Sequence, residues 1–114
     1  MNNLKEICIK YFDTWSRKDI DGLAALFANE VQLQDWEMMA SGMYRVLEAN
    51  QKIFDQFSGL SVNVQNIYQD SEYPHRVICQ IGIEFNGGES SLNVIDVINF
   101  DDDGKISLIW AYKG

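Results

Sequence analysis

Hydrophobic residues recur at helical spacing near the start of the chain. Between Leu4 and Trp15 the apolar side chains lie three or four positions apart, and charged side chains occupy the opposite side. This pattern predicts an amphipathic helix of about four turns. Asp19 is of a type that caps helix N-termini, and it precedes a short second apolar repeat over residues 20–28. We therefore predict a second helix there.

The pattern changes to strict alternation after the second helix. Residues 31–35 alternate apolar and polar, which predicts a short strand. Residues 36–43 contain Gly42 and three methionines and are interpreted as a loop, and a third helix is predicted over residues 44–57. Four further alternating segments follow and are predicted to be strands. Short turns connect the last three of them, so these three strands are expected to pair antiparallel with their neighbours in the chain. The four predicted strands cover residues 61–69, 76–86, 90–100 and 105–112.

This order of elements predicts an α+β domain in which three N-terminal helices pack on one face of a curved, mostly antiparallel sheet. The composition agrees, because 114 residues with 46% hydrophobic and 23% charged side chains are typical of one soluble globular domain. No apolar run is long enough to span a bilayer, and the first residues do not resemble a signal segment. We therefore expect a cytoplasmic protein.

Net charge and cysteine content argue against nucleic acids, anionic membranes and metal ions as ligands. The net charge is −8 and the nine basic residues are scattered, so neither nucleic acid nor an anionic membrane is expected to bind. Cys8 and Cys79 lie inside apolar patterns and His75 is the only histidine, which argues for buried free thiols rather than a zinc site. The acidic run at residues 101–104 lacks the other ligands of a calcium loop and is interpreted as a solvated turn. No metal or cofactor is predicted.

One carboxylate lies on a face that should be buried. Asp96 shares the apolar face of its predicted strand with Leu92, Val94, Ile98 and Phe100. Burying an isolated carboxylate costs roughly several kcal/mol of folding free energy. This side chain must therefore be paired with a basic group, be neutral, or face a cavity. The predicted inward faces of the neighbouring strands carry nothing basic: Val77, Cys79, Ile81, Ile83 and Phe85 on one, Ile106, Leu108, Trp110 and Tyr112 on the other. A hydrogen bond to a tyrosine or a buried water is the alternative to a pocket.

Two more polar groups occupy predicted inward positions. Asp35 follows Val31 and Leu33 on one face of the first strand, and Tyr11 lies in the middle of the apolar stripe of the first helix. Asp35 ends its strand, so it is equally compatible with capping the following loop, and Tyr11 alone is compatible with core packing. Together with Asp96, however, they indicate a pocket with a few convergent polar groups in apolar surroundings.

Two segments resemble the NTF2-like superfamily, which includes the ketosteroid isomerases and the SnoaL-like polyketide cyclases. Residues 11–28 resemble the opening of these domains, and residues 95–106 resemble their last hairpin; the segments read YFDTWSRKDIDGLAALFA and IDVINFDDDGKI. The resemblance covers nearly the whole chain. It implies a single domain over residues 1–114, with the NTF2-like (cystatin-like) cone of three helices and a curved sheet, and a pocket inside the cone.

The resemblance also implies roles for the three polar groups. In ketosteroid isomerases a tyrosine on the first helix donates a hydrogen bond to the substrate oxyanion, and Tyr11 falls at that position. The general base is an aspartate at the end of the first strand, which matches Asp35, and an aspartic acid kept neutral by apolar surroundings is the second donor, which matches Asp96. The base of the family is usually followed by a proline, whereas Trp36 follows Asp35 here.

A wider set of side chains is predicted to line the pocket. These are Trp15, Trp36, Met39, Phe54, Cys79, Ile81, Val94, Ile98 and Trp110. Trp36 and the methionines that follow it are compatible with two arrangements, a flexible apolar lid over the mouth or a plug that fills the cavity.

Three functions are compatible with these residues. The first is an enzyme of isomerase, cyclase or dehydratase type that acts on a carbonyl-containing small molecule through Asp35, Tyr11 and Asp96. The second is a ligand-binding module without chemistry, and the third is an interaction domain with a filled pocket. A cavity of about several hundred Å³ that reaches Asp35 and Asp96 favours the first two, whereas a plug of Trp36 or Trp110 favours the third.

The outer face of the sheet is predicted to be more apolar than a solvated face requires. Its predicted members include Ile67, Ile78, Ile95, Val97 and Ile109, among Gln80, Gly82, Asn93 and Ser107. Such a face is expected to pack on something, and a symmetric homodimer through the sheet is the favoured arrangement.

Overall fold

Residues 3–114, described in a computed structural model, contain three helices and one sheet of six strands. The helices are α1 (Leu4–Ser16), α2 (Ile20–Leu26) and α3 (Met43–Gln56). The strands are β1 (Phe27–Gln34), β2 (Met39–Ser41), β3 (Ser61–Gln69), β4 (Arg76–Phe85), β5 (Ser90–Phe100) and β6 (Ile106–Lys113). The predicted α+β class is confirmed, and β1 and β2 separate the third helix from the first two.

The sheet has the strand order β2-β1-β6-β5-β4-β3. Among the described residues only β1 and β6 run parallel, so the sheet is mostly antiparallel. The predicted antiparallel pairing of the last three strands is confirmed. Helix α1 packs against β3 and β4, and α3 packs against β1 and β2. In residues 3–114 none of the helices combines the length and apolarity that crossing a membrane requires, and the expected cytoplasmic location stays a prediction.

Local capping explains where the first two helices begin. The side-chain oxygen of Asn3 accepts hydrogen bonds from the backbone N–H groups of Lys5 and Glu6 at 3.1 and 3.3 Å. Asp19 accepts one from the backbone N–H of Gly22 at 2.9 Å, which confirms the predicted N-cap of α2. The second helix ends at Leu26 rather than at the predicted residue 28, because the chain there enters β1 and pairs with β6.

The predicted loop over residues 36–43 contains a strand. Residues Met39–Ser41 form β2, which pairs antiparallel with β1 and places Ala40 opposite Leu33. Three residues without strong strand propensity do not indicate a strand on their own. They become one because the edge of β1 supplies the hydrogen-bonding partner.

A β-bulge reverses the predicted faces of β6. The register shifts between Asn99 and Phe100, so that Ser107 is an extra residue and Ile98 lies opposite Ile109. Residues opposite each other in antiparallel strands share a face. Ile109 therefore faces inward, not outward as predicted, while Leu108, Trp110 and Tyr112 face outward, not inward. Strict alternation fails here because a bulge changes its phase by one residue.

A second bulge has the same effect in β3. The register shifts between Val64 and Asn66, and Ile67 lies opposite the fully buried Cys79. The predicted outward position of Ile67 is therefore wrong, because it packs on the core side. The inward faces of β4 and β5 agree with the prediction, since neither strand contains an extra residue.

Candidate active site

A cavity of about 360 Å³ lies between the helices and the inner face of the sheet. This volume is within the range typical of small-molecule sites. Most of its wall is apolar, and the three predicted polar groups Tyr11, Asp35 and Asp96 all line it. Four of the predicted pocket residues do so as well: Trp15, Trp36, Ile81 and Val94.

Asp96 is buried in the middle of the sheet, with 6% of its surface exposed. In the sheet it lies between Cys79 of β4 and Ala111 of β6, and both Asp96 and Ala111 line the cavity. No ion pair to Asp96 is present among residues 3–114. Burial, and secondarily the nearby charge of Asp35, raises the pKa of Asp96 from 3.8 to about 7. At neutral pH a large fraction of this side chain is therefore a neutral acid, which donates a hydrogen bond.

Tyr11, on α1, brings a second donor to the same cavity. Its ring packs against Phe12 and Phe27, with centroid distances of 5.1 and 6.0 Å, and 5% of its surface is exposed. Burial, followed by the charge of Asp96, raises the pKa of Tyr11 well above its ordinary value of 10. The phenol therefore keeps its proton across the physiological pH range and acts as a hydrogen-bond donor.

Asp35 combines both arrangements that its sequence position allowed. Directly after β1, its Oδ1 accepts hydrogen bonds from the backbone N–H groups of Glu37 and Met38 at 2.8 and 2.9 Å. The carboxylate therefore caps the following turn, and these two bonds fix its orientation. It nevertheless lines the cavity, and its charge raises the pKa of Asp96. One oxygen is thus held by the turn, and the other has no protein donor within the part of the chain that the structure describes.

The cavity mouth is formed by an indole and two charged side chains. Trp36 is 40% exposed at the rim, and the Nζ of Lys113 lies 5.7 Å from the centroid of its ring, a cation–π contact. Glu37 lines the same opening. Trp36 therefore forms part of the entrance and does not plug the cavity.

Five residues predicted for the pocket wall do not line it: Met39, Phe54, Cys79, Ile98 and Trp110. Met39 is exposed on the edge strand β2, and Trp110 faces outward because of the bulge in β6. Ile98 and Cys79 are fully buried in the core next to the cavity. Interaction with the Cys79 thiol, followed by burial, raises the pKa of Cys8. Phe54 packs edge-on against Trp15 at a centroid distance of 5.4 Å, so Trp15 rather than Phe54 lies at the cavity surface.

Three polar residues that line the cavity were missed by the sequence analysis: Glu37, Asn50 and Lys113. Asn50 is buried on the apolar face of α3, between Val46 and Phe54. A polar residue on an otherwise apolar face is the same sequence signal that identified Asp96. Lys113 reaches the mouth only because the bulge in β6 turns it to the inner face, and alternation along the strand gives no sign of this.

The donor set suits acid–base chemistry on an organic molecule. Two neutral donors and one oriented carboxylate share an apolar hollow, in which hydrogen bonds are stronger than in water. Among residues 3–114 no group of three or more His, Cys, Asp or Glu side chains is arranged to hold a metal ion.

Comparison with solved structures agrees with this architecture. An NTF2-like protein of unknown function from Cytophaga hutchinsonii superposes with a TM-score of 0.81 at 10% identity, over 100% of this chain and 92% of that one. A protein with a ketosteroid isomerase-like fold from Catenulispora acidiphila, in complex with trimethylamine, gives 0.78 at 14% identity, over 94% and 84%. An LEH-like epoxide hydrolase from M. tuberculosis gives 0.79 at 17% identity, over 97% and 82%. At these identities the likeness shows the fold alone.

Comparison with curated proteins finds no significant match. The sequence profile of the SnoaL-like domain matches residues 9–109, which is most of the chain and includes all three polar groups of the cavity. With the α+β architecture of the structure, this match shows that the chain belongs to the SnoaL-like family of the NTF2-like superfamily.

Proposed function

We propose that this protein catalyses proton transfer next to the carbonyl group of a small, mostly apolar molecule. The observation that carries the proposal is a buried carboxyl group, Asp96, whose pKa is raised to about 7 and which opens into the same cavity as Tyr11 and Asp35. Groups with such displaced pKa values in a pocket are typical of catalytic sites. The ketosteroid isomerase-like fold of one structural neighbour is consistent with this chemistry.

Each polar group has a distinct role in the proposed reaction. With a β,γ-unsaturated ketone, the Asp35 carboxylate removes a proton from the α-carbon and the electron pair moves onto the carbonyl oxygen. Tyr11 and neutral Asp96 donate hydrogen bonds to that oxygen, where negative charge develops. Asp35 then returns the proton to the γ-carbon, which gives the conjugated ketone and restores the carboxylate.

The open cavity distinguishes between the functions that the sequence allowed. A volume of about 360 Å³ that reaches Asp35 and Asp96 supports an enzyme or a ligand-binding protein. An interaction domain with a filled pocket has no support, because Trp36 lies at the rim and Trp110 on the outer face. The remaining alternative is a ligand-binding protein without turnover.

Replacing Tyr11 by Phe tests the role of the donors. A bicyclic β,γ-unsaturated ketone is the probe, and formation of the conjugated product is followed by ultraviolet absorbance. Because loss of one donor to a developing oxyanion typically costs about 10²-fold in rate, we expect Tyr11→Phe to lower kcat by about that factor.

Tyr44→Phe, which removes a hydroxyl group from an exposed tyrosine of α3, is the matched control and should keep the wild-type rate. Binding of the ketone without turnover by the wild-type protein would contradict the proposed catalysis and favour the ligand-binding alternative.

We also propose that the outer face of the sheet joins two copies of this chain. Its centre carries the uncharged side chains of Ile78, Ile95, Val97, Leu108 and Trp110. Ile95 is 37% exposed there, although large apolar side chains normally avoid water. Copies of a chain with a net charge of −8 repel each other. An uncharged and apolar face is therefore the surface through which two copies can associate most favourably.

A lysine at the centre of this face should separate the copies. We expect the wild-type protein to sediment as a dimer at micromolar concentration, and Ile95→Lys to raise the dimer Kd at least about tenfold, because a charge would be buried without a partner. Ile9→Lys introduces the same charge at an exposed isoleucine of α1 and should leave the dimer intact. A monomeric wild-type protein would refute the proposed dimer.

A further inference from the structure

Asn50 is a buried amide that the proposed proton transfer does not use. It lies on α3 with 3% of its surface exposed and lines the cavity from the helical wall, whereas Asp96 lines it from the sheet. A buried amide needs hydrogen-bond partners for its N–H groups, since an unmade donor is costly in apolar surroundings. Its protein partners therefore show which hydrogen-bonding groups of the amide remain available to a ligand.

Trp15 determines how the amide of Asn50 is oriented. The indole Nε1 lies 2.9 Å from Oδ1 of Asn50, and an indole N–H can only donate, so the oxygen of the amide must face it. The amide nitrogen then lies on the opposite side, where it donates to the backbone carbonyl of Val46 at 2.9 Å. The orientation is thus fixed by chemistry at both ends.

One N–H of Asn50 is left over. The amide nitrogen carries two hydrogens, and in the described range 3–114 the carbonyl of Val46 is the one protein acceptor that it has. The apolar side chains in this part of the wall, such as Ile53 on the same helix and Phe57 directly after it, offer no acceptor. A bound molecule or a water in the cavity must supply it.

We infer that this N–H of Asn50 binds a second oxygen acceptor of the substrate, away from the reacting carbonyl. The inference rests on the proposed function, in which the first oxygen lies at Tyr11 and Asp96. The substrate class is then a mostly apolar ketone that carries a further uncharged oxygen, such as an ether, ester or second carbonyl oxygen. A carboxylate at this position is disfavoured, because Asp35 and Asp96 line the same cavity.

Naphthols are suitable probes, because a phenol oxygen resembles the enolate oxygen of the proposed reaction. The affinities of 2-naphthol, 6-methoxy-2-naphthol and 7-methoxy-2-naphthol are measured by titration calorimetry. One additional hydrogen bond typically changes affinity by about three- to tenfold. We expect at least one methoxy compound to bind wild-type protein more tightly than 2-naphthol by that factor, and Asn50→Leu to abolish the difference while it keeps the affinity for 2-naphthol.

Ile53→Val, which trims an apolar side chain of the same helix at the cavity surface, is the control and should affect all three naphthols equally. Nuclear magnetic resonance of the wild-type side-chain amide adds a measurement that does not depend on the folding of a variant. Its free N–H should shift downfield with the preferred methoxynaphthol and not with 2-naphthol.

Failure of the inference about Asn50 and failure of the proposed function would give different results. If 2-naphthol binds and its affinity falls in Tyr11→Phe, but neither methoxy compound is preferred or the preference survives in Asn50→Leu, the role of Asn50 is refuted and the proposed function stands. If 2-naphthol does not bind, or binds Tyr11→Phe as tightly as wild type, the proposed function fails and the inference fails with it.

Discussion

Asp35→Asn is expected to lower kcat for isomerisation of the β,γ-unsaturated ketone by about 10²- to 10⁴-fold, the usual contribution of a general base. An amide does not accept a proton at neutral pH, so the α-proton has no acceptor. The turn after β1 should survive, because the side-chain oxygen of Asn can accept the same two backbone hydrogen bonds from Glu37 and Met38. Loss of activity then reports the loss of the base and not a rearranged loop.

The turn between β5 and β6 offers a matched control. Oδ1 of Asp101 accepts backbone hydrogen bonds from Asp103 and Lys105 at 3.0 and 2.9 Å, outside the cavity. Asp101→Asn makes the same chemical change in a similar turn, so we expect it to leave kcat unchanged. A rate for Asp35→Asn within about threefold of wild type would show that another group removes the proton.

The stability of the folded protein is expected to depend on the protonation of Asp96. Its pKa is about 7 in the folded state, against 3.8 for the free side chain. Between these values the folded state keeps a proton that the unfolded state has lost, so the contribution of Asp96 is fully present below pH 3.8 and is lost as the pH rises to about 7. A displacement of this size corresponds to at most about 4 kcal/mol of unfolding free energy.

Asp96→Asn isolates this contribution, because the amide has nearly the shape of the neutral acid and does not ionise. We expect the unfolding free energy of the variant, relative to wild type, to rise between pH 4 and pH 8 by several kcal/mol, up to about 4. Urea unfolding of both proteins across this range measures the difference, in which the contributions of carboxylates that do not interact with Asp96 cancel. A difference independent of pH would show that Asp96 ionises normally in the folded protein.

Asp35→Asn provides an independent check on the same group. The charge of Asp35 is the second cause of the raised pKa of Asp96, after burial. Neutralising Asp35 should therefore lower the pKa of Asp96 in the folded protein. The upper end of the pH range over which Asp96 changes the unfolding free energy should then lie at a lower pH. A variant of Asp101 should not move it.

The strand patterns were predictable where the strands are regular. Residues 90–100 form a strand with the predicted bounds, and Asp96 is buried on the predicted face of β5. Apolar alternation identifies such faces because side chains point to opposite sides of a strand in turn. The same logic failed for Ile109 and Trp110, since one extra residue in β6 exchanged their faces.

The amino-acid sequence by itself determined the α+β class, the inward carboxylate on β5 and the capped start of α2, because periodicity and capping depend on residues close together along the chain. Only the tertiary structure decided the bulges, the strand β2, the indole–amide contact of Trp15 with Asn50 and the open cavity. These features depend on contacts between separate strands and helices, and their geometry depends on how these elements pack. The shape of the cavity follows from that packing, and no local pattern specifies it.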